Sequence, residues 1–325
     1  MDATIQRLVA SCRPETPVTA GRLHVVPLTG PAGEGPSPEA SWGLDADEPL
    51  RLSERDDEAR VEEVQAFNGT PRDILALDGE LLAGGFQDRM LAASVLMRRR
   101  SAVLLPTACS EEGRFEGNNP HFVPTGRVAS PRYRRRLRLG RRSASGGDRL
   151  APRQRAVWDD IEADRLALGQ PGDGVSLLSL RQRTDDDCRS LAAALGNRSR
   201  DLGWMIFLDG RFMAGDLFAH SGLASQFGPA LLEAAAYDAV VDGLQIQPAA
   251  SPTPGDQGQI PSGDWDDLES ELDGALVMRQ EIASGTTRLC FDSPALTGTA
   301  LLHAQGPLHL SFFPAVYAED VLSLD

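Results

Sequence analysis

An Asp-Gly pair set between apolar runs occurs twice in this chain, as ILALDGELLAG and MIFLDGRFMAG, and it restricts the fold more than any other feature. Asp-Gly supplies the positive φ angles of a two-residue turn, and the apolar residues on both sides supply the strands that such a turn joins. Within the octets LDGELLAG (77–84) and LDGRFMAG (208–215), five of eight positions are identical. A pair of β-hairpins is therefore expected, and shaping the turn is a sufficient role for Asp78 and Asp209.

The rest of the pattern extends this β-rich reading. Residues 22–28 (RLHVVPL) alternate as a strand does, and EARVEEVQAF reads as a strand entering the first hairpin. RMLAASVLMRRRSAVLLP reads as two more strands, joined by a polar turn at Arg98 to Arg100. Helical spacing follows in AVWDDIEADRLALG, which puts Val157, Trp158 and Ile161 on one side, in RTDDDCRSLAAALGN, and in GPALLEAAAYDAVVDGL with Leu231, Ala235 and Tyr237. TTRLCFD and TGTALLHAQGPLHLSFFP look like three closing strands.

Strands on both sides of a helical middle section favour an α+β fold: a mixed or antiparallel, β-rich body with several hairpins. The expected organisation is an N-terminal segment over 1–20, an α+β core over 21–246, a flexible Pro/Gly/acidic loop over 247–273, closing strands of the same core over 274–314, and a tail over 315–325.

Composition removes several function classes. The chain has no lysine, which excludes a Walker lysine, Schiff-base chemistry and the kinase β3 lysine together. A net charge of −15 repels a phosphate-coated duplex, so nucleic acid is not an expected partner. The four cysteines are scattered without CxxC spacing, and no HExxH, HxxxH or GxSxG pattern occurs, so neither a metal nor another cofactor is expected. No apolar run approaches the roughly 20 residues that span a bilayer, and the first residues lack a signal-like apolar core, so no membrane and a cytoplasmic location are expected.

The densest set of chemically able side chains lies in GGFQDRM (84–90) and ACSEEGRF (108–115), each just after a strand end. Gln87, Arg89 and Arg114 can hold a polar or anionic ligand, and Glu111 beside an arginine can act as acid or base. Cys109 is a nucleophile only if a base or positive field lowers its pKa, and inert packing is the more usual role of a lone buried cysteine. GDLFAH adds Asp216 as a ligand-binding candidate with His220, and HAQGPLH adds His303 and His309.

SPRYRRRLRLGRRSASGGDR packs seven arginines between Arg132 and Arg142. The ordinary outcome for a charge run is a solvated helix face followed by a loop. An anion-binding patch, or docking onto acids elsewhere in the same chain, would use the same residues.

Taken in order, LALDGELLAGGFQDRMLAASVLM, LLPTACSEEGRF, VWDDI and MIFLDGRFMAGDLF resemble a bacterial family named for its association with ADP-ribosylglycohydrolases and rhodanese-phosphatases. The resemblance runs from about residue 20 to 314 and implies signature positions at Asp78, Gly79, Glu80, Gly84, Gln87, Arg89, Cys109, Glu111, Gly113, Arg114, Trp158, Gly215, Asp216 and Phe218. Phe115 stands where the family carries tryptophan, and Asp88 where it tends to carry asparagine. The family's name implies a link to NAD-derived or ADP-ribosylated compounds.

The expected function is binding, and beyond that processing, of a small phosphorylated or nucleotide-like ligand, with Glu111 and Cys109 as catalytic candidates and Gln87, Arg89, Arg114 and Asp216 as ligand contacts. The rival from another class is a non-enzymatic scaffold or interaction module that uses the arginine run and the acidic stretch near 252–273. A third reading is a cysteine hydrolase centred on Cys109.

Overall fold

In the computed structural model the residues described are 3–31, 33, 37–44, 49–55, 61–113, 119–138, 151–172, 174–196, 199–245, 264–283, 285–304 and 306–315. Helix α1 (Ala3–Ser11) leads into β1 (Arg13–Pro14), β2 (Val18–Ala20) and β3 (Leu23–Thr29). Strands β4 (Glu39–Ala40), β5 (Leu50–Ser53), β6 (Glu63–Asn68), β7 (Ile74–Ala76), β8 (Glu80–Gly84), β9 (Arg89–Leu91), β10 (Val95–Met97), β11 (Ser101–Cys109) and β12 (His121–Val128) follow. The helical section comprises α2 (Pro131–Arg136), α3 (Ala151–Ala167), α4 (Leu177–Arg183) and α5 (Asp185–Leu195). Strands β13 (Asp201–Leu208) and β14 (Arg211–Phe218) precede α6 (Ser221–Gln245) and α7 (Asp264–Gly274), and β15 (Leu276–Ala283), β16 (Thr286–Asp292), β17 (Leu296–His303) and β18 (Gly306–Pro314) close the chain. The architecture is α+β, dominated by antiparallel strands and hairpins.

The chain forms two compact units, and each is discontinuous in sequence. The first takes residues 1–35, 194–225 and 247–325, and the second takes 36–193 and 226–246. Residues 21–246, read in the sequence as one core, contribute to both.

The first unit is built on a nine-stranded sheet in the order β1-β3-β13-β14-β18-β17-β16-β15, with β2 also paired to β3. Strand β13 is buried along its whole length, which is why DLGWMIFL reads as a continuous apolar run and not as an alternating one. Helix α1 turns Ile5, Leu8 and Val9 onto the sheet, a spacing of three and four residues that makes one apolar stripe. They join Trp265, Leu268 and Leu272 of α7 and Met205, Phe207, Phe291 and Phe312 of the sheet in one core. Residues 264–273 were expected as the end of a flexible loop. Instead, the spacing Trp265, Leu268, Leu272 gives this acidic segment an apolar face to bury, and it folds as a helix. Residues 247–263 of that loop, and 316–325 of the tail, lie outside the described residues.

The second unit holds a closed barrel in the order β11-β6-β5-β12-β8-β9 and a three-stranded sheet, β10-β7-β4. The polar turn at Arg98 to Arg100 does join two strands, with Arg100 in a left-handed conformation at φ 54. The second octet is the expected hairpin: β13 and β14 pair antiparallel around Asp209 (φ 50) and Gly210 (φ 75), the positive pair that a tight turn demands.

The first octet is not a hairpin, which corrects the sequence reading. Strand β7 pairs with β10 and β4, whereas β8 pairs with β12 and β9, so the Asp78-Gly79 corner passes the chain from the small sheet into the barrel. Gly79 (φ 83) gives its N–H to Leu91 O and its carbonyl to Ala129 N. A Cβ there would lie 2.6 Å from Arg134 Cγ. Glycine is therefore required both for the backbone angle and for the close approach of an arginine stem.

Candidate functional site

The side chains singled out in GGFQDRM and ACSEEGRF come together because β9 and β11 are neighbours in the barrel, with Arg89 directly opposite Cys109. Arg89 is fully buried and donates from Nη1 to Gln87 O (2.9 Å) and Cys109 Sγ (3.3 Å). Its Nη2 donates to Glu54 Oε1 (3.2 Å), forming an ion pair with no solvent exposure on either side. The guanidinium also lies 5.7 Å from the centre of the Phe122 ring, a cation–π distance.

Glu54 is the member of this group that sequence reasoning missed. It follows β5 and lies far from Arg89 in the chain, so only closure of the barrel brings them together. Its Oε1 also accepts from Phe86 N (3.1 Å). Gly85 (φ 57) makes room for this, since a Cβ there would meet the Phe122 ring at 2.1 Å and Glu54 Oε1 at 2.8 Å. The glycine pair at 84–85 was the one local signal that something approaches the backbone closely here.

Gln87 bridges the group. Its Oε1 accepts from Cys109 Sγ (2.9 Å) and its Nε2 donates to Glu111 O (3.2 Å). Glu111 Oε2 accepts from Asp88 N (3.2 Å), and the residue retains 8% exposure where the cluster approaches the surface. Gln154 of α3 clamps the end of β11, accepting from Cys109 N (2.7 Å) and donating to Cys109 O (2.8 Å). Asp88 directs Oδ1 to Gly84 N (3.1 Å), so its charge is engaged by backbone.

Cys109 is held protonated. Burial pushes the thiol up to about 11, and the nearby Arg89 cation offsets only part of that rise. A thiolate nucleophile at neutral pH is not what this environment supplies. Two buried atoms of the cluster, Arg89 Nε and Glu54 Oε2, have no hydrogen-bond partner among the described residues.

Arg114 and Phe115 lie outside the described residues. Asp216 belongs to the first unit, where β14 and β18 place its Oδ1 3.0 Å from His309 Nε2, and the His309 ring stacks on Phe218 at 4.6 Å.

The arginine run is not a solvated face. Arg134, Arg135 and Arg138 are buried, and Arg132 and Arg136 are partly so. Asp78 accepts from Arg134 Nη2 (3.1 Å), Arg138 Nη2 (2.6 Å) and Ser94 Oγ (3.1 Å). Asp160 takes Arg136 Nε (2.9 Å). Asp164 takes Arg132 together with the hydroxyls of Tyr133 (2.7 Å) and Tyr237 (2.8 Å). Burial drives both tyrosines well above their usual range, and the neighbouring Asp164 adds to the rise. Asp238 accepts from Arg132 N (3.1 Å), and burial raises its carboxyl to about 6. Of the readings open to the run, docking onto the chain's own acids describes residues 132–138, while Arg141 and Arg142 lie outside the described residues.

This is a strand-rich α+β protein whose barrel carries a buried arginine–glutamate pair leading to the largely buried Glu111 carboxylate. The chain belongs to the ARG and Rhodanese-Phosphatase-superfamily-associated Protein domain family, ARPP-1, whose model matches residues 11–313. No curated protein and no solved structure gives a significant match. Among the described residues no helix is long and apolar enough to cross a membrane.

Proposed function

We propose that the chain binds a small phosphorylated or nucleotide-like ligand at the Gln87, Arg89 and Glu111 corner of the barrel. The compound class the family name points towards is ADP-ribose and its relatives. Arg89 offers Nε, the donor that Glu54 leaves free, to an anionic oxygen, and Arg114 of ACSEEGRF is the second arginine proposed for the ligand. Gln87 reads a polar edge. Glu111 accepts from ribose-type hydroxyls and is the group able to move a proton.

One observation carries this reading: the Arg89–Glu54 pair is fully buried yet incompletely satisfied. Replacing a buried ion pair with well-packed apolar residues is often neutral or stabilising by about 1–4 kcal/mol, so stability alone does not account for it. Buried polar groups are almost always hydrogen-bonded, so a buried charge pair with an unsatisfied donor and acceptor points to a role beyond packing. The protonated Cys109 makes binding a better description than covalent catalysis.

A thermal-shift screen with ADP-ribose, NAD and inorganic phosphate, repeated on Glu111→Ala and Arg114→Ala, tests the proposal. Ligand at a hundred times its dissociation constant should stabilise the protein by about 2.7 kcal/mol. The shift should shrink in both variants. No shift with any of these compounds on well-folded protein would overturn it and favour the interaction module, a reading that the exposed apolar side chains of β15 also support.

A further inference from the structure

The two edges of the large sheet are treated differently. At one end β1 is only Arg13–Pro14, and a short strand with proline is a normal way to blunt an edge. At the other end stands β15, eight residues long, without proline and paired with β16 on one side only. No described strand pairs with its outer side. Leu276 is 78% exposed, Met278 53% and Val277 37%, although the adjacent β16 is buried from Thr286 to Phe291. A long, open, apolar edge is a template for another strand.

We infer that β15 pairs antiparallel with β15 of a second copy of this chain, making one sheet continuous across a two-fold axis. The sequence of the strand fixes the register. In an antiparallel pair, a residue whose N–H and C=O point outwards must face another of the same kind, so a two-fold axis between identical strands must fall on a residue. An axis at Arg279 or Glu281 would set like charges against each other. An axis at Met278 would leave both charges facing apolar residues. At Gln280, Arg279 faces Glu281 of the second copy, and the symmetry repeats that pair. Charge complementarity at Arg279 and Glu281 thus selects one occupant and one register, and the pairing of β15 with β16 is regular up to Glu281, shifting only between Glu281 and Ala283. Arg279 reaches Thr287 Oγ1 (3.4 Å) on the adjacent β16, which holds its stem along the sheet.

Sedimentation of the full chain over a concentration series tests this. A concentration-dependent dimer is expected. Arg279→Glu and Glu281→Arg should each weaken it by at least about tenfold, because both pairs become like-charged. Mixing the two single variants should restore dimer, since each then faces an opposite charge at both positions. A wild-type protein that stays monomeric across the series, a dimer unaffected by either reversal, or two variants that do not associate on mixing would each overturn the assignment.

Discussion

The octets LDGELLAG and LDGRFMAG share five of eight residues and end in different structures. The second is a hairpin whose aspartate, Asp209, sits at the tip and pairs with Arg22 at the surface. The first is a corner between two sheets whose aspartate, Asp78, is buried beneath Arg134 and Arg138. Local sequence specified the turn chemistry in both, since Gly79 and Gly210 each take a positive φ. Partners distant in sequence then decided which strands would pair.

That contrast can be broken most sharply at the aspartates. Asp78→Ala removes the carboxylate that two buried guanidinium groups share, and the expected loss is about 3–5 kcal/mol of unfolding free energy. Asp209→Ala removes an exposed pair, and the expected loss is below about 1 kcal/mol. Chemical denaturation of both variants checks the difference. Equal losses would mean that the two aspartates do the same job.

The fourth position of the two octets separates them by an effect that depends on pH. Glu80 is buried, its carboxylate held by Ser41 Oγ and Leu77 N, whereas its counterpart Arg211 is exposed. Burial raises Glu80 from 4.5 to about 7, and the two hydrogen bonds only moderate the rise. The folded state therefore holds this proton between about pH 4.5 and 7 where the unfolded state has released it, so stability falls as pH rises through that window. Glu80→Gln should flatten the fall, with a gain of up to about 3 kcal/mol at pH 8. Arg211→Gln should leave the profile unchanged. An unaltered pH profile in Glu80→Gln would place the titration elsewhere, with Asp238, raised to about 6, the first group to test.

The glycines sharpen the comparison with a smaller effect. Gly210→Ala adds a Cβ that meets nothing within 4 Å, so only the left-handed backbone opposes it, at about 1–2 kcal/mol. Gly79→Ala incurs the same backbone cost and also collides with the Arg134 stem, so its melting temperature should fall further. If the two substitutions cost the same, the Arg134 stem yields freely and the corner is looser than its geometry implies.

Much of the strand pattern was legible because alternation and turn chemistry are local. The last three strands, β16 to β18, the long helix with Leu231 and Tyr237 inside, and the second hairpin all follow from it, whereas β15 was not read as a strand. The grouping of Gln87, Arg89, Cys109 and Glu111 was legible too, because all four stand at or just past the ends of two strands that became neighbours. Glu54 was not, since no feature near it announces a partner in β9. The arginine run was misjudged for a related reason. A charge run carries no local sign of whether acids will meet it, and Asp78, Asp160, Asp164 and Asp238 arrive from three other parts of the chain. The helix at 264–274 was hidden by an acidic composition that concealed its single apolar face.

Calorimetric titration of ADP-ribose into the wild-type protein and Glu111→Ala tests the central claim most directly. The account predicts saturable binding to the wild type, weakened at least about tenfold in the variant, the usual scale for a lost hydrogen bond to a charged group. Absence of saturable binding, or the same affinity in both proteins, would contradict a ligand site at the Gln87, Arg89 and Glu111 corner.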